Sequence, residues 1–332
     1  MEPTTQHDPP ISQDAAIASP VRPSVVRLPE RAPDGVASLL DFLVLRFPRI
    51  PEATWRERFA AGKVWTADGP VVADAPFRPL LELYYRREAE REPPVRTDVA
   101  IVWSDDDLVV VDKPPHLPVT PGGQWVRHTL LHLLEGLTGC AELAPLHRLD
   151  RLTSGLVLLS RSRGTRAHYA RLFQTGAPVE KTYTAICELV RGDAPERAVL
   201  EHHIQRSREE YWRQAVTPEE PPNASSEIEL IAVAGRLAAY RVRPRTGRKH
   251  QLRVQLAAAG LPVLGDPLYG TSPFHDPDDL ATRLWLDAHE VRVTGFPRPS
   301  GADPLTADWT SRRDPAEMLA RAVQAADGHR RQ

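Results

Sequence analysis

Asp150 stands between Arg148 and Arg151 in residues 147–155, HRLDRLTSG, directly ahead of the apolar run Leu156-Val157-Leu158-Leu159. Four successive apolar residues suffice for one buried strand, so this spacing sets a carboxylate at a strand mouth. Thr153, Ser154 and Gly155 are turn formers, and a turn on a rigid frame is a common way to deliver a functional side chain. Such a carboxylate can serve as a nucleophile or as a general base. Taken alone, Asp150 fits an ordinary ion pair with a neighbouring arginine at least as well, because structural ion pairs greatly outnumber catalytic carboxylates.

Residues 245–270, RTGRKHQLRVQLAAAGLPVLGDPLYG, carry the second set of candidates. Arg241, Arg243, Arg245, Arg248, Lys249 and Arg253 make this the most basic part of the chain, a strip suited to backbone phosphates. The pattern predicts a helix entered through residues 244–247 and ended by Gly260. Leu252, Leu256 and Ala259 would face the core, with Lys249 and Arg253 on another face. A helix start after Gly247 would also offer free N–H groups to phosphate.

Together the two stretches resemble the RluA-type pseudouridine synthases, whose motifs read approximately HRLDxxTSG and TGRxHQ(I/L)RVHLAxxGxPxxGDxxYG. Asp112-Lys113-Pro114-Pro115 resembles that family's DKPxG segment, and residues 181–186, KTYTAI, its KxYxA(I/L) segment. The likeness spans residues 95–299, roughly two-thirds of the chain. It implies an α+β fold on a mixed, mostly antiparallel central sheet flanked by helices and loops. It also implies isomerisation of specific uridines in structured RNA, ribosomal or transfer, to pseudouridine without a cofactor. Asp150 would be the catalytic carboxylate, Arg253 would pair with it and aim it, and Tyr183 would stack on the flipped base. Leu252 would close the pocket beside that tyrosine, and Arg148 would fill the space left by the flipped nucleotide. Arg151, Thr153, His250 and Arg248 complete the expected substrate contacts. Without the family, Tyr183 and Leu252 equally suit an ordinary sheet and core. Three departures stand out: Gln255 and Asp287 replace common histidines, and residues 116–120, HLPVT, differ from the usual GLxVHP.

The elements that must hold these residues follow from composition and periodicity. A chain of 332 residues suggests one large and one small domain. Residues 1–33, rich in Pro, Ser, Thr and charge, predict a disordered tail. Across residues 34–93, Leu39, Leu43, Phe47, Trp55 and Phe59 repeat at helical spacing, and an Asp68-Gly69 turn follows. Two helices and a hairpin resemble a degenerate S4-like RNA-binding module; because its charges nearly balance, a packing module that has lost RNA affinity is an equal alternative. Residues 94–300 would form the catalytic domain, and residues 301–332 a tail with a short surface helix at 315–325.

Several function classes recede on composition. The net charge of −2 supplies no global attraction for nucleic acid, so local strips must do so, the first being Arg161, Arg163, Arg166 and Arg171. Cys140 and Cys187 are the only cysteines, which suggests neither a disulfide framework nor a zinc site. Asp105-Asp106-Asp107 suits a turn better than a metal cage, which needs oxygens converging from several places. With no signal sequence or apolar span, the expectation is a cytoplasmic monomer acting on RNA, with no membrane, metal or small-molecule cofactor. Two other classes stay in view. A catalytically silent RNA-binding protein of the same fold would not need the intact set Asp150, Tyr183 and Arg253. A carboxylate-dependent hydrolase would need a second acid or a metal cluster, and no motif supplies one.

Overall fold

The computed structural model describes residues 21–87, 91–174, 178–210, 212–271, 278–299, 301 and 303–329. The chain divides into two compact units, Ala18–Glu92 and a larger one from Pro93 onward.

In the smaller unit, β1 (Ser24–Arg27), α1 (Leu39–Arg46), α2 (Glu52–Ala60), β2 (Val64–Thr66), β3 (Gly69–Pro70) and β4 (Glu82–Tyr85) follow in order. The strands form one sheet in the order β1-β4-β2-β3. Helix α1 starts at Ser38 because of a reciprocal cap: Ser38 Oγ accepts from Asp41 N–H at 3.1 Å, and Asp41 Oδ2 accepts from Ser38 N–H at 2.8 Å. Leu39, Leu43, Trp55 and Phe59 then bury their side chains in one core. The disordered tail expected to reach residue 33 is corrected here, since Ser24–Arg27 pairs with Glu82–Tyr85. That partner lies too far along the chain for local composition to reveal it. Residues 1–20 lie outside the described residues.

The larger unit opens with the hairpin β5 (Ala100–Ser104) and β6 (Leu108–Lys113). Asp105 Oδ1 closes its turn by accepting from the N–H groups of Asp107 and Leu108 at 2.9 and 2.8 Å. Next come α3 (Leu130–Thr138), β7 (Ala144–Pro145), β8 (Ser154–Ser160) and α4 (Arg163–Tyr169). They are followed by β9 (Val179–Glu188), β10 (Arg197–His202), β11 (Ile204–Arg206), β12 (Gln214–Val216), β13 (Ala224–Ala234) and β14 (Leu237–Pro244). Helix α5 (Gln251–Ala258), β15 (Leu286–Phe296), β16 (Leu305–Thr310) and α6 (Pro315–His329) complete the unit.

Its main sheet runs β10-β13-β14-β9-β15-β8-β6-β5, with β16 on β15 and β7 on β8. The sheet is mixed and mostly antiparallel, as the family resemblance implied. Every residue of β6 and β8 is buried, because both faces of the sheet are covered. Val109, Val111, Val157 and Leu159 point into one core, and Leu108, Val110, Leu156 and Leu158 into another. Each such side chain contributes about 1.5–3 kcal/mol on leaving water.

Among the described strands, β8 and β15 form the parallel pairing, matching Ser154 with Asp287 and Gly155 with Ala288. Gly155 sits at φ +108°, and a Cβ there would lie 2.4 Å from the Ala288 carbonyl oxygen. Only glycine permits that approach. Ser154 and Gly155, expected in a turn, are thus the first residues of a strand.

The C-terminal expectation is also corrected. Strand β16 pairs with β15, and α6 buries Met318, Leu319 and Ala322 in a core with Ile186, Leu237, Ala239 and Trp285. Residues 301–332 therefore include a strand and a helix built into the larger unit, rather than a tail with a surface helix.

Candidate active site

The Asp150 turn springs from the mouth of β8. Its backbone is closed by Thr153 N–H donating to the Asp150 carbonyl at 3.1 Å. Behind it, the fully buried Lys113 donates from Nζ to the carbonyls of Pro114 and Leu117 at 2.9 Å each and of Arg151 at 3.2 Å. His147 Nε2 accepts from Leu158 N–H at 3.1 Å, and its ring stacks on Phe173 with centroids 4.2 Å apart. Burial, with Lys181 nearby, pushes the His147 imidazole down to about 3, so it stays a neutral acceptor at ordinary pH.

Arg253 reaches Asp150 from α5. The helix begins at Gln251, later than the pattern suggested, because His250 adopts a left-handed conformation at φ 55°. The Gln251 Oε1 accepts from Arg248 N–H at 3.0 Å and from Thr246 Oγ1 at 2.8 Å, folding residues 246–251 into a turn. Lys249 consequently lies outside the helix, and the Arg248 N–H expected to meet phosphate is already bonded.

The Arg253 side chain is only 4% exposed and serves two carboxylates. Nη1 donates to Asp150 Oδ2 at 3.1 Å, while Nε and Nη2 each donate to buried Asp266 at 2.7 Å. Burial opposes the charge on Arg253, but hydrogen bonds and proximity to Asp266 and Asp150 outweigh it and hold the guanidinium above its ordinary range. Asp266 also accepts from the N–H groups of Leu268 and Tyr269 at 2.9 and 3.1 Å.

Asp150 keeps 31% of its side chain exposed. His250 Nε2 lies 3.9 Å from its Oδ2, and His250 Nδ1 is 2.9 Å from the Tyr269 hydroxyl. Burial is the chief cause that pushes His250 down to about 4, against the pull of Asp150. Tyr183 reaches the same cleft from β9. Burial first, then Asp150 and Asp287, disfavour its phenolate and hold its hydroxyl above the usual tyrosine range. The cleft has a volume of about 590 Å³, inside the ~300–1,000 Å³ typical of small-ligand sites.

These features can be set beside known proteins. A family model described as RNA pseudouridylate synthase matches residues 107–258. An uncharacterized RNA pseudouridine synthase of Synechocystis sp. is 34% identical over 238 residues, 70% of this chain and 79% of that protein. An uncharacterized RNA pseudouridine synthase of Zymomonas mobilis is 32% identical over 216 residues, 63% of this chain and 91% of that protein. The chain belongs to the RluA-type RNA pseudouridine synthase family. Its fold is similar to that of human RNA pseudouridylate synthase domain containing 1, with a TM-score of 0.51 at 21% identity, covering 70% of this chain and 97% of that one.

All nine expected site residues of the synthase line one cleft: Asp150, Arg253, Tyr183, Arg148, Leu252, Arg151, Thr153, His250 and Arg248. They are not equally available. Arg148 is exposed, whereas the Arg151 guanidinium pairs with Asp278 at 2.9 Å and lies 4.5 Å over the Trp125 ring. Leu252 is 8% exposed and belongs to the core as well as the cleft.

The basic strips divide. Arg161, Arg163, Arg166 and Arg171 do not line the cleft; Arg161 holds Ser104, and Arg166 holds the Glu142 carbonyl. Arg241 and Arg243 of β14 pair with Glu229, and Arg245, just past the strand, pairs with Glu227. Those acids belong to the adjacent strand β13, so cross-strand register neutralises half of the second strip. Arg248 and Lys249 remain at the cleft.

Gln255, in place of a histidine, is fully buried and bonds Ser226 Oγ and the carbonyls of Leu200 and Ala224. It is a packing residue. Asp266 is the partner that neither motif marks as such, because its place thirteen residues after Arg253 hides the bidentate pair.

Proposed function

We propose that the synthase isomerises specific uridines in structured ribosomal or transfer RNA, with Asp150 as its catalytic group. In this reading the target nucleotide leaves its stack, and its base lies against Tyr183. The N1–C1′ bond breaks, the base turns, a C5–C1′ bond forms, the C5 proton departs and N1 gains a proton. The change is internal to the nucleotide, consumes no co-reactant and needs no electron carrier. Arg253 holds the Asp150 carboxylate in one orientation throughout, an advantage of preorganisation over free rotation. Arg148, exposed beside Asp150, occupies the gap in the RNA and sets its charge beside a flanking phosphate, and Arg248 with Lys249 receives others. The Ala18–Glu92 unit would act as an S4-like module adding to RNA contact.

One observation supports this reading above the rest: a part-exposed carboxylate shares a cleft with a tyrosine and is hydrogen-bonded at 3.1 Å to a buried arginine. Pseudouridine maps of RNA from cells with and without the gene test it. Sites lost with the gene and restored by wild type identify the substrate; identical maps would remove the proposal.

A further inference from the structure

The segment Ser311-Arg312-Arg313, just past β16, reaches into the sheet behind the Asp150 turn. Two carboxylates there, Asp112 and Asp287, are fully buried. Asp287 accepts from Ser311 Oγ and from Ser154 Oγ at 2.6 Å each, and from Arg313 Nη1 at 3.3 Å. Asp112 accepts from Arg312 N–H at 3.0 Å and from the same Arg313 Nη1. Arg313, 17% exposed, is therefore a cation shared by two buried anions on different strands.

Both anions border the catalytic turn. Ser154, held by Asp287, follows Thr153, whose N–H closes the turn on the Asp150 carbonyl. Asp112 precedes Lys113, which grips the Arg151 carbonyl one residue after Asp150. In register, Asp112 and Lys113 face Leu156 and Gly155 of β8, while Asp287 faces Ser154. The three strands β6, β8 and β15 thus meet where the turn ends, and Arg313 bridges the outer two.

We propose that Arg313 is a positioning residue for uridine isomerisation: by joining Asp112 to Asp287 it fixes the strand junction that carries the Asp150 turn. The proposal rests on Asp150 being the catalytic group. A purely structural role would loosen the whole unit alike; a positioning role loosens the turn first.

Hydrogen exchange on Arg313→Met tests this without RNA. The peptide covering residues 147–155 should exchange at least tenfold faster, while peptides from β13 and β14 stay within twofold of wild type. Tritium release supplies the second readout, using bulk RNA labelled with 5-tritiated uridine and enzyme in excess, at a rate unaffected by doubling the enzyme. Arg313→Met should slow release at least fivefold, and Arg313→Lys, which returns a cation, should lie nearer wild type. Where Arg313→Met does not fold, Ser311→Ala takes its place, with at least twofold faster exchange expected in the same peptide. An unchanged turn peptide, equal loosening throughout, release slowed less than fivefold, or a lysine variant as slow as methionine overturns the proposal. Absence of release by wild type would instead count against the catalytic reading, leaving the exchange result to decide the positioning claim.

Discussion

Arg253 binds Asp266 through two hydrogen bonds of 2.7 Å and turns its remaining Nη1 to Asp150 at 3.1 Å. The paired edge is sealed in the protein, and the third donor reaches the cleft. A planar, forked donor can serve both acids at once, whereas an ammonium cannot reproduce that geometry. Asp266 therefore acts on the site through Arg253, without touching the cleft's contents.

Asp266→Asn should lower turnover at least tenfold and reduce the thermal midpoint. Removing one partner of a buried ion pair costs about 3–5 kcal/mol. Arg253→Lys should lose turnover to a similar or greater degree. Tritium release and thermal unfolding together check this; turnover within twofold of wild type for Asp266→Asn would contradict the anchoring role.

Arg148 and Arg151 flank Asp150 but should behave differently toward RNA. Arg148 is exposed, while Arg151 is engaged with Asp278 and Trp125. Arg148→Ala should weaken RNA binding and reduce the slope of log affinity against log salt by about one phosphate's worth, ~0.7–0.9. Arg151→Ala should leave that slope nearly unchanged. Filter binding across a salt series distinguishes the two, and equal slope changes would contradict the assignment.

The two motifs made much of this site legible, because Asp150 and Arg253 each sit in a long, specific stretch and Tyr183 in a third. What stayed hidden depends on partners distant in sequence. Ser24–Arg27 becomes a strand only against Glu82–Tyr85, and Arg241 is engaged by an acid instead of facing RNA only because Glu229 lies opposite. The start of α5 moved because His250 takes a left-handed backbone and Gln251 folds back on residues 246–248, neither of which hydrophobic periodicity encodes. Asp287 looked like a simple departure from a family pattern until Ser311 and Arg313 supplied its partners.

Stability should fall on acidification through His147. Its folded value of about 3 lies below the ordinary 6.5, so the native ring stays neutral while the unfolded chain takes up a proton. The contribution is complete above pH 6.5 and is lost progressively as pH falls from 6.5 toward 3, at up to about 1.4 kcal/mol per pH unit. His250, lowered to about 4, adds to the loss in the same direction. Denaturant midpoints at pH 7 and pH 4.5 should differ less in His147→Gln than in wild type; an equal difference would count against this cause.

Gly155→Ala should be among the most destabilising single-methyl additions in the chain. The new Cβ would sit 2.4 Å from the Ala288 carbonyl oxygen at a φ of +108°. Separation of β8 from β15 is the alternative to that clash, with a cost of at least ~2 kcal/mol. Urea unfolding measures it, and a midpoint equal to wild type would mean the strands do not approach this closely.

The most direct measurement of the central claim is tritium release from RNA labelled with 5-tritiated uridine by Asp150→Asn, with RNA binding and thermal unfolding followed on the same preparation. The carboxamide keeps the side chain's shape but removes its charge and basicity. Release should disappear while the folded variant still binds RNA within threefold of wild type. Release at the wild-type rate by folded Asp150→Asn would contradict Asp150 as the catalytic group.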